Sequence, residues 1–405
     1  MRIAMISYHT CPMASLEGKE TGGMNVYVLE LSRALARRGH HVDVYTRSHE
    51  KNDATITSPE RNLRVMHLPA GPQTQLPKKT LAKYIPDFVR VFESFVKKQG
   101  ITYNIVHAHY YLSGLAAYAA DLPFIMQFHT LGLMKNLVAR DTLERESARR
   151  IRTEFMLMKR ASVIVAASGS DRAYMEYLYD APEGKITVVS PGIDTELFHP
   201  MEKNTARAHI HADPTHKIVL FVGRIEPLKG IDTLVYAIKI LTKQHPGETI
   251  CLWIVGGDTS EESARWPKTL RELAKLQKTL SLDTSVRFVG RQTQAELPYY
   301  YNAADVVVMP SHYESFGLSA LEAIGCNVPV ITTNVAGISS LISDEYTSLI
   351  TSVNNPLLLA SQIQKVLMSK SAVNQTKIVI SKHTWSNVAD RMLAVYTRVV
   401  KSGSR

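Results

Sequence analysis

The stretch that decides the fold runs from Ser311 to Val330 and reads SHYESFGLSALEAIGCNVPV. Short β-branched runs flank it, VVVMP at 306–310 and PVITT at 329–333. The segment therefore predicts a strand, a turn, a helix and a second strand, which is the repeating unit of a parallel sheet covered by helices. We expect the helix to begin close to Gly317. It should end at Asn327, because Asn tolerates the left-handed conformation of a helix cap.

Two carboxylates mark this stretch, Glu314 in the turn and Glu322 eight residues later inside the helix. An unpaired carboxylate among Leu, Ala and Ile is costly to bury in a core. The turn also carries Phe316, and the backbone N–H groups around Gly317 and Leu318 face the carboxyl ends of the strands, where open α/β sheets bind ligands. The pattern indicates either a ligand site at this edge or an ordinary crossover with two surface acids.

A basic turn of the same half favours the ligand site. GRIEPLKG, at 223–230, also follows a strand and carries Arg224 and Lys229. A forked guanidinium and a point ammonium can share a diphosphate. Together the two turns resemble the donor site of glycosyltransferase family 4. The E-x7-E pair of that family matches Glu314 and Glu322, and its phosphate-binding Arg and Lys match Arg224 and Lys229.

The resemblance covers nearly the whole chain and implies the α/β architecture called GT-B. Two Rossmann-like, doubly wound domains would face a central cleft, with the C-terminal helix crossing back to the first domain. Strands alternate with helical patterns in both halves, as a parallel sheet requires. We expect an acceptor-binding domain at 1–195 with the helix at 385–405, and a nucleotide-sugar-binding domain at 196–384. The turn-rich segment at 190–200 reads as the link between them.

Composition limits the class of protein. The 405 residues are 45% hydrophobic and 21% charged, which is normal for a soluble chain of two domains. No apolar run approaches the roughly 18 residues of a spanning helix, and the N-terminus reads as a strand rather than a signal peptide. Three scattered cysteines favour a reduced compartment, so we predict a cytoplasmic protein.

The formal charge of +10 favours anionic partners. No zinc-finger, RRM-like or basic-helix pattern is present in the sequence, so nucleic acid is not predicted as a partner. Nucleotide sugars, phosphorylated acceptors or an anionic membrane surface account for the sign equally well.

The first half opens with a strand, RIAMIS, and a helical pattern that the glycines Gly22 and Gly23 precede. This pair is not G-x-G-x-x-G, so a nicotinamide site is not predicted. It is either a plain loop pair or a close backbone approach to a phosphate or sugar. A strand at 63–69 and a helix at 80–98 are expected next. The charged segment at 137–162 is predicted to be one helix whose charges mostly form a solvated face.

Polar groups follow several predicted strands of the first half. His129 and Thr130 end the strand FIMQFHT, and Tyr110 follows the strand that contains His107 and His109. Two histidines at this spacing suggest a metal ion, but no third ligand follows at a sensible distance, so no metal site is predicted. The D-x-D metal motif of the other large glycosyltransferase fold is also absent from the sequence.

The resemblance assigns roles to particular residues. The catalytic set is His129, Arg224, Lys229 and Glu314. The donor-binding set is Gly23, Asn25, Arg224, Lys229, Arg291, Glu314, Phe316, Gly317, Leu318 and Glu322. Lys78, Tyr110, Thr130 and Arg150 match positions that contact an acceptor phosphate. Glu322 would hold the ribose hydroxyls, Glu314 a sugar hydroxyl, and His129 would border the reacting carbon. Family 4 enzymes retain the anomeric configuration without an established protein nucleophile.

Within the family, GGMNVYV, HAHYYLSG and SPGID resemble the branch of D-inositol-3-phosphate glycosyltransferases and sucrose-phosphate synthases. The chain departs from the family at Asn327, where Gly is frequent, and at Ala336 to Ser340, where G-G-x-x-E is frequent. The second departure concerns the wall of the sugar pocket.

The predicted function is a retaining, metal-independent hexosyltransferase without a cofactor. It would move a sugar from a nucleoside-diphosphate sugar to a hydroxyl of a phosphorylated polyol or sugar. A UDP-sugar is the favoured donor, and a GDP-sugar is the alternative. Two alternatives stay open: a lipid-directed, phosphatidylinositol-type mannosyltransferase at the membrane surface, and a nucleotide-sugar-binding protein without catalysis. Peripheral membrane contact and a homodimer are compatible with the sequence.

Overall fold

The computed structural model describes residues 1–14, 22–51, 55–259, 262–335, 337, 350–368 and 380–403. The chain divides into two compact units. Unit 1 comprises Met1–Gly192 and Trp385–Arg405, and unit 2 comprises Ile193–Thr384. Each unit is built on its own, largely parallel sheet. The predicted α/β class with two Rossmann-like halves is therefore confirmed.

The sheet of unit 1 has eight strands in the order β3-β4-β2-β1-β5-β6-β7-β8. The strands are β1 (Arg2–Ile6), β2 (His41–Arg47), β3 (Ile56–Glu60), β4 (Leu63–Leu68), β5 (Ile105–His109), β6 (Ile125–Gln127), β7 (Val163–Ala166) and β8 (Ile186–Val188). Strand order reverses between β1 and β5, so the switch point where such sheets bind ligands lies at their carboxyl ends. The antiparallel edge strand β3 was not predicted, because ITSPE carries a proline and no apolar alternation.

The helices of unit 1 that precede residue 180 are α1 (Gly23–Arg37), α2 (Ile85–Lys98), α3 (Tyr111–Ala119), α4 (Gly132–Val138), α5 (Ala148–Arg160) and α6 (Gly169–Tyr179). The expected helix at 80–98 begins instead as a 3₁₀ segment, Lys78–Tyr84, and becomes α-helical at Ile85. Pro86 lies in the first turn of α2, where the missing N–H is tolerated.

The prediction of one helix over 137–162 is wrong. Helix α4 ends at Val138 and α5 begins only at Ala148. Asp141 Oδ1 accepts hydrogen bonds from the amides of Leu143 (2.7 Å) and Glu144 (3.0 Å), so the chain turns there. Ser147 then caps α5 by accepting from the amide of Arg150 at 3.2 Å.

The sheet of unit 2 is parallel, with the order β11-β10-β9-β12-β13-β14. Its strands are β9 (Lys217–Val222), β10 (Ile250–Val255), β11 (Val286–Gly290), β12 (Val306–Met309), β13 (Val330–Thr333) and β14 (Ile350–Thr351). Its helices are α7 (Lys203–His209), α8 (Ile231–Gln244), α9 (Lys268–Thr279), α10 (Leu297–Ala303), α11 (Leu318–Gly325) and α12 (Pro356–Met368). Strand order reverses between β9 and β12, and the two predicted donor-site turns follow these two strands.

The local predictions for α11 are confirmed. The helix begins at Leu318, and Gly317 caps it with φ 97°, a conformation that favours glycine. Asn327 follows the helix with φ 59°, in the left-handed region that ends helices.

The last helix, α13 (Trp385–Gly403), packs on unit 1. Val388, Met392 and Tyr396 are buried in the core that α1 and the sheet form. Arg38, which follows α1, donates to Asp390 of α13 at 2.7 Å. Burial of each of these apolar side chains is worth about 1.5–3 kcal/mol, so the predicted return of this helix has a packing basis.

Candidate active site

In unit 2, the turns after β9 and β12 lie against each other. The amide of His312 donates to the carbonyl of Leu228 at 2.8 Å. Gly230 has φ 63°, and a Cβ at this position would overlap the carbonyl oxygen of Pro310. Glycine is therefore required for the two turns to meet. The basic turn and the acidic turn consequently form one surface at the switch point of this sheet.

The two predicted cations of this surface each have a carboxylate partner. Lys229 Nζ contacts Glu314 Oε2, with side chains 14% and 18% exposed. Arg224 Nη1 lies 2.7 Å from Glu226 Oε1, and the Arg224 side chain is 41% exposed. A bound diphosphate would compete with these carboxylates for the same two cations. In the structure, the two carboxylates hold these cations beside the ends of β9 and β12.

Glycines at the ends of β9, β10 and β11 allow other parts of the chain to approach this edge of the sheet closely. Gly256 has φ 128°, and a Cβ there would overlap the carbonyl oxygen of Gly223. Gly290 has φ 85° at the end of β11. Arg291 follows it, with Nη2 4.0 Å from Asp258 Oδ2. The predicted donor residue Arg291 thus lies at the same edge of the sheet as Arg224.

The turn that begins α11 is packed from the side of β13. Phe316 is buried, and a Cβ at Gly337 would overlap Phe316 Cα. Gly337 is therefore a packing requirement for the turn. Ala336 and Ser340, where the sequence departs from the family pattern, lie outside the described residues.

Glu322 of α11 is only 7% exposed. Its Oε2 accepts a hydrogen bond from the hydroxyl of Tyr301 at 2.7 Å. Burial raises the pKa of Glu322 to about 7, and the Tyr301 hydrogen bond opposes that shift. Burial therefore favours the neutral, protonated form of this carboxyl more than in an exposed glutamate. The fully buried Tyr301 on α10 was not predicted as part of this site.

In unit 1, two non-glycine residues at adjacent strand ends have left-handed backbone conformations. Tyr110 follows β5 with φ 76°, and His129 follows β6 with φ 61°. The amide of Tyr110 donates to the carbonyl of Gln127 at 2.7 Å, which holds the two strand ends together. Such conformations cost about 1–3 kcal/mol each and cluster at functional sites. Both side chains were predicted site residues.

The four residues predicted to contact an acceptor phosphate lie together, although they come from four separate segments. Arg150 Cζ lies 4.9 Å and Lys78 Nζ 5.5 Å from the centroid of the Tyr110 ring. Arg150 Nη2 donates to the carbonyl of Thr130 at 2.9 Å and lies 3.2 Å from its hydroxyl. We call Lys78, Tyr110, Thr130 and Arg150 the acceptor cluster.

The expected solvated face of the charged helix is wrong for Arg150 and Glu154. Their side chains are 2% and 0% exposed, and Arg150 Nε donates to Glu154 Oε1 at 2.7 Å. Glu154 Oε2 also accepts from the amide of Gly132 at 2.9 Å and the hydroxyl of Tyr179 at 2.5 Å. A buried ion pair needs such additional hydrogen bonds. The i,i+4 spacing was the available sequence signal, but it says nothing about burial.

Glu146 supplies a second carboxylate to Arg150, at 2.8 Å from Nη1. It also accepts from Lys135 Nζ at 2.6 Å, and its side chain is 17% exposed. Burial acts to raise the pKa of Glu146, but Arg150 and Lys135 outweigh it and hold that pKa below its ordinary value. Neither Glu146 nor Lys135 was predicted as part of the site.

At the other predicted donor positions of unit 1, the structure shows local bonds. Asn25 is buried, and its Nδ2 donates to Thr10 Oγ1 at 2.7 Å and to the carbonyl of Cys11 at 2.6 Å. These bonds fasten the turn after β1 to α1. Gly23 is the first residue of α1.

His129 contacts a second histidine, because its Nε2 lies 3.1 Å from His109 Nδ1. Burial lowers the pKa of His129 to about 3, so the imidazole is neutral near pH 7. Within the described ranges, no group of three or more His, Cys, Asp or Glu side chains is arranged to hold a metal ion. No helix in the same ranges is both long and apolar enough to cross a membrane.

Comparison with known proteins establishes the family. Residues 21–197 match the model "Glycosyltransferase Family 4", and residues 202–381 match "Glycosyl transferases group 1". The D-inositol 3-phosphate glycosyltransferase of Nocardiopsis dassonvillei is 32% identical over 406 residues, which cover 98% of this chain and 94% of that protein. The chain belongs to glycosyltransferase family 4.

Solved structures agree with this family 4 assignment. Sucrose-phosphate synthase from Thermosynechococcus elongatus is similar with a TM-score of 0.89 and 31% identity, covering 99% of this chain and 100% of that one. HepE from Anabaena, solved with UDP and glucose, has a TM-score of 0.74 at 17% identity, covers 98% of this chain and 99% of that one, and shares the fold. This family 4 chain is a glycosyltransferase that takes its sugar from a nucleotide sugar.

Proposed function

We propose that this family 4 enzyme transfers a sugar from a UDP-sugar to a hydroxyl of a small phosphorylated polyol or sugar. The acceptor cluster is the observation that carries this proposal. The relatives support it, because the names D-inositol 3-phosphate glycosyltransferase and sucrose-phosphate synthase each contain a phosphorylated polyol or sugar. The HepE structure contains UDP, which favours the same nucleotide here.

In this proposal, the surface that the turns after β9 and β12 form in unit 2 binds the donor. Arg224 and Lys229 would neutralise the leaving diphosphate, and the free N–H groups at the start of α11 add fixed dipoles. Glu322 would accept from the ribose hydroxyls, and Glu314 from a sugar hydroxyl once Lys229 turns to the diphosphate.

Two cations and a helix N-terminus make a divalent ion unnecessary for charge neutralisation. Activity is therefore expected to survive an excess of chelator. Loss of activity that Mg²⁺ or Mn²⁺ restores would contradict metal independence. The transfer is proposed to retain the anomeric configuration, which NMR of the product reports directly.

The charges around the acceptor cluster suit an anion. Lys78, Lys135 and Arg150 bring three cationic side chains to this region, and the carboxylates of Glu146 and Glu154 contact Lys135 and Arg150. Glu154 is fully buried and fixes the guanidinium in position, whereas Glu146 is partly exposed. An acceptor phosphate would replace Glu146 at Arg150 Nη1 and pair with Lys78. The hydroxyls of Tyr110 and Thr130 complete its hydrogen bonds.

Lys78 is the sharpest probe of this proposal, because a charge change at the buried Arg150 would disturb the fold. Lys78 is partly buried, and its sequence neighbour Lys79 is exposed. We expect Lys78→Met to lower kcat/KM for a phosphorylated acceptor by about 10- to 100-fold, the worth of a charge-assisted hydrogen bond of 1.5–3 kcal/mol. Lys79→Met, which removes the same charge one residue away, should change it less than about 3-fold.

Inositol phosphate with UDP-N-acetylglucosamine and a hexose phosphate with UDP-glucose are the substrates to assay, each beside its dephosphorylated form. Wild-type turnover that is equal for the phosphorylated and dephosphorylated acceptors would refute the phosphate proposal. Equal effects of Lys78→Met and Lys79→Met would show that Lys78 acts through general charge rather than at a phosphate.

A further inference from the structure

Two buried histidines lie on β5, the strand that leads to Tyr110 of the acceptor cluster. His107 and His109 of β5 are both 0% exposed, and their ring centroids are 4.1 Å apart. His109 Nδ1 lies 3.1 Å from His129 Nε2, and His107 Nδ1 lies 2.9 Å from the hydroxyl of Tyr396 on α13. The two histidines thus point to different partners, one toward the strand end and one toward the C-terminal helix. No role derived above uses His109.

The ring nitrogens of His107 and His109 that have no hydrogen-bond partner show which nitrogen of each ring carries the proton. The Nε2 atoms of His107 and His109 are buried and have no hydrogen-bond partner in the part of the chain that the structure describes. A neutral imidazole carries one N–H, and its other nitrogen is an acceptor. Buried N–H groups without a partner are rarer than under-satisfied acceptors. His109 therefore keeps its proton on Nδ1, where it has the partner His129.

Charge does not alter this assignment, because both imidazoles are neutral near pH 7. Burial is the main cause that lowers the pKa of His109 well below its ordinary value, and burial alone lowers the pKa of His129 to about 3. His109 then donates from Nδ1 to Nε2 of His129. Because that nitrogen of His129 accepts, its own proton must be on Nδ1.

The Nδ1 atom of His129 is directed differently from its Nε2. It has no hydrogen-bond partner among the described residues, and it is not one of the buried unpaired atoms, so it is partly accessible on a ring that is otherwise largely buried. The ring is also held by Tyr27, whose ring packs edge-on at a centroid distance of 5.2 Å. His129 is thus fixed on two sides and presents one polar atom outward.

We propose that His109 is a positioning residue that holds His129 as its Nδ1–H tautomer, so that His129 offers a hydrogen-bond donor to an oxygen of the bound substrate. This inference rests on the proposed function, since it needs His129 to face a substrate. A donor at this position can stabilise a hydroxyl or a developing negative charge. An acceptor there would instead serve as a weak base. The direction of the hydrogen bond between His109 and His129 therefore determines whether His129 is a donor or an acceptor toward the substrate.

Substitutions of His109 test the direction of that bond. His109→Asn places an amide N–H close to the position of Nδ1, whereas His109→Leu removes the donor. We expect His109→Leu to lower kcat about 10-fold or more, with a smaller change in the KM for the UDP-sugar. His109→Asn should stay within about 3-fold of wild type. If His109→Asn lowers kcat as much as His109→Leu does, the proposal is overturned.

His107→Leu is the matched control, because it removes an equally buried histidine two residues away on the same strand. It loses the bond to Tyr396 but leaves the bond between His109 and His129. A loss of thermal stability similar to that of His109→Leu, with a change in kcat below about 3-fold, is the expected result. If both Leu variants lower kcat equally, His109 supports the fold and does not position His129.

A spectroscopic measurement tests the tautomer without any activity. Ring-¹⁵N histidine labelling and long-range ¹H–¹⁵N correlation distinguish Nδ1–H from Nε2–H imidazoles, and His129→Gln identifies the His129 signals. The Nδ1–H pattern is expected for His129 in the wild type and in His109→Asn, with both tautomers populated in His109→Leu. An Nε2–H pattern in the wild type would overturn the inference. If no nucleotide sugar is turned over, the proposed function fails while this measurement still decides the tautomer.

Discussion

The buried ion pair of Arg150 and Glu154 allows us to predict how much stability the protein loses when one partner is removed. Replacing Arg150 by Met leaves the Glu154 carboxylate, 0% exposed, with only neutral donors, Gly132 N–H and the Tyr179 hydroxyl. Removing one partner of a buried ion pair costs about 3–5 kcal/mol. For a unit of this size, that corresponds to a fall of roughly 6–20 °C in Tm.

The double variant Arg150→Met/Glu154→Gln should recover most of this loss. Gln keeps a carbonyl oxygen for the amide of Gly132 and for Tyr179 but leaves no buried charge. Replacing both members of a buried pair by uncharged side chains is often close to neutral. Arg149→Met is the matched control, since Arg149 is exposed on the same helix, and surface changes are usually within about ±0.5 kcal/mol.

Thermal unfolding combined with hydrogen exchange read by mass spectrometry measures these effects. Peptides from α5 should lose protection in Arg150→Met, while peptides from α8 in unit 2 should not. If Arg150→Met costs as little as Arg149→Met, the pair is not desolvated as described. If the double variant is no more stable than Arg150→Met, the loss is due to packing of the Arg150 side chain rather than to an unpaired charge.

Two further predictions concern the surface of unit 2 that carries Arg224, Lys229 and Glu322, which is the proposed donor site. Arg224→Ala and Lys229→Ala should each lower kcat/KM by roughly 10²-fold, because in the proposed function both face charge that grows in the transition state. Lys243→Ala, at an exposed lysine, should not lower it, and unchanged turnover in both donor-site variants would remove the assignment. Folding raises the pKa of Glu322 from 4.5 to about 7, so this group favours the folded state most below pH 4.5 and loses that contribution as the pH rises through 7. If ribose binding takes the ionised form, the affinity for UDP, measured by calorimetry, should increase roughly 10-fold between pH 6 and pH 8. The same slope in Glu322→Gln would show that another group titrates.

The sequence by itself was sufficient for features that depend on short-range chemistry. Gly317 and Asn327 predicted where α11 begins and ends, because few residue types adopt the left-handed backbone conformation. Alternating strand and helix patterns predicted two parallel sheets, since each pattern depends on burial of one local face. The turns that carry Glu314 and Arg224 were predicted to lie close together because turns after parallel strands lie at one edge of a sheet. Strand β3 was not predicted, because its sequence ITSPE has no alternation of apolar and polar residues.

Only the tertiary structure decided how the charged and polar side chains are partnered. Arg150 is 20 residues from Thr130 and only one turn of helix from Glu154, yet neither spacing shows that Arg150 contacts both residues or that the Arg150–Glu154 pair is buried. Lys229 and Glu314 are 85 residues apart, and their contact depends on the glycine that lets two turns approach. The bond between His109 and His129 likewise joins two strands. The protonation and charge of each group depend on which atoms surround it, and those atoms come from segments that only folding brings together.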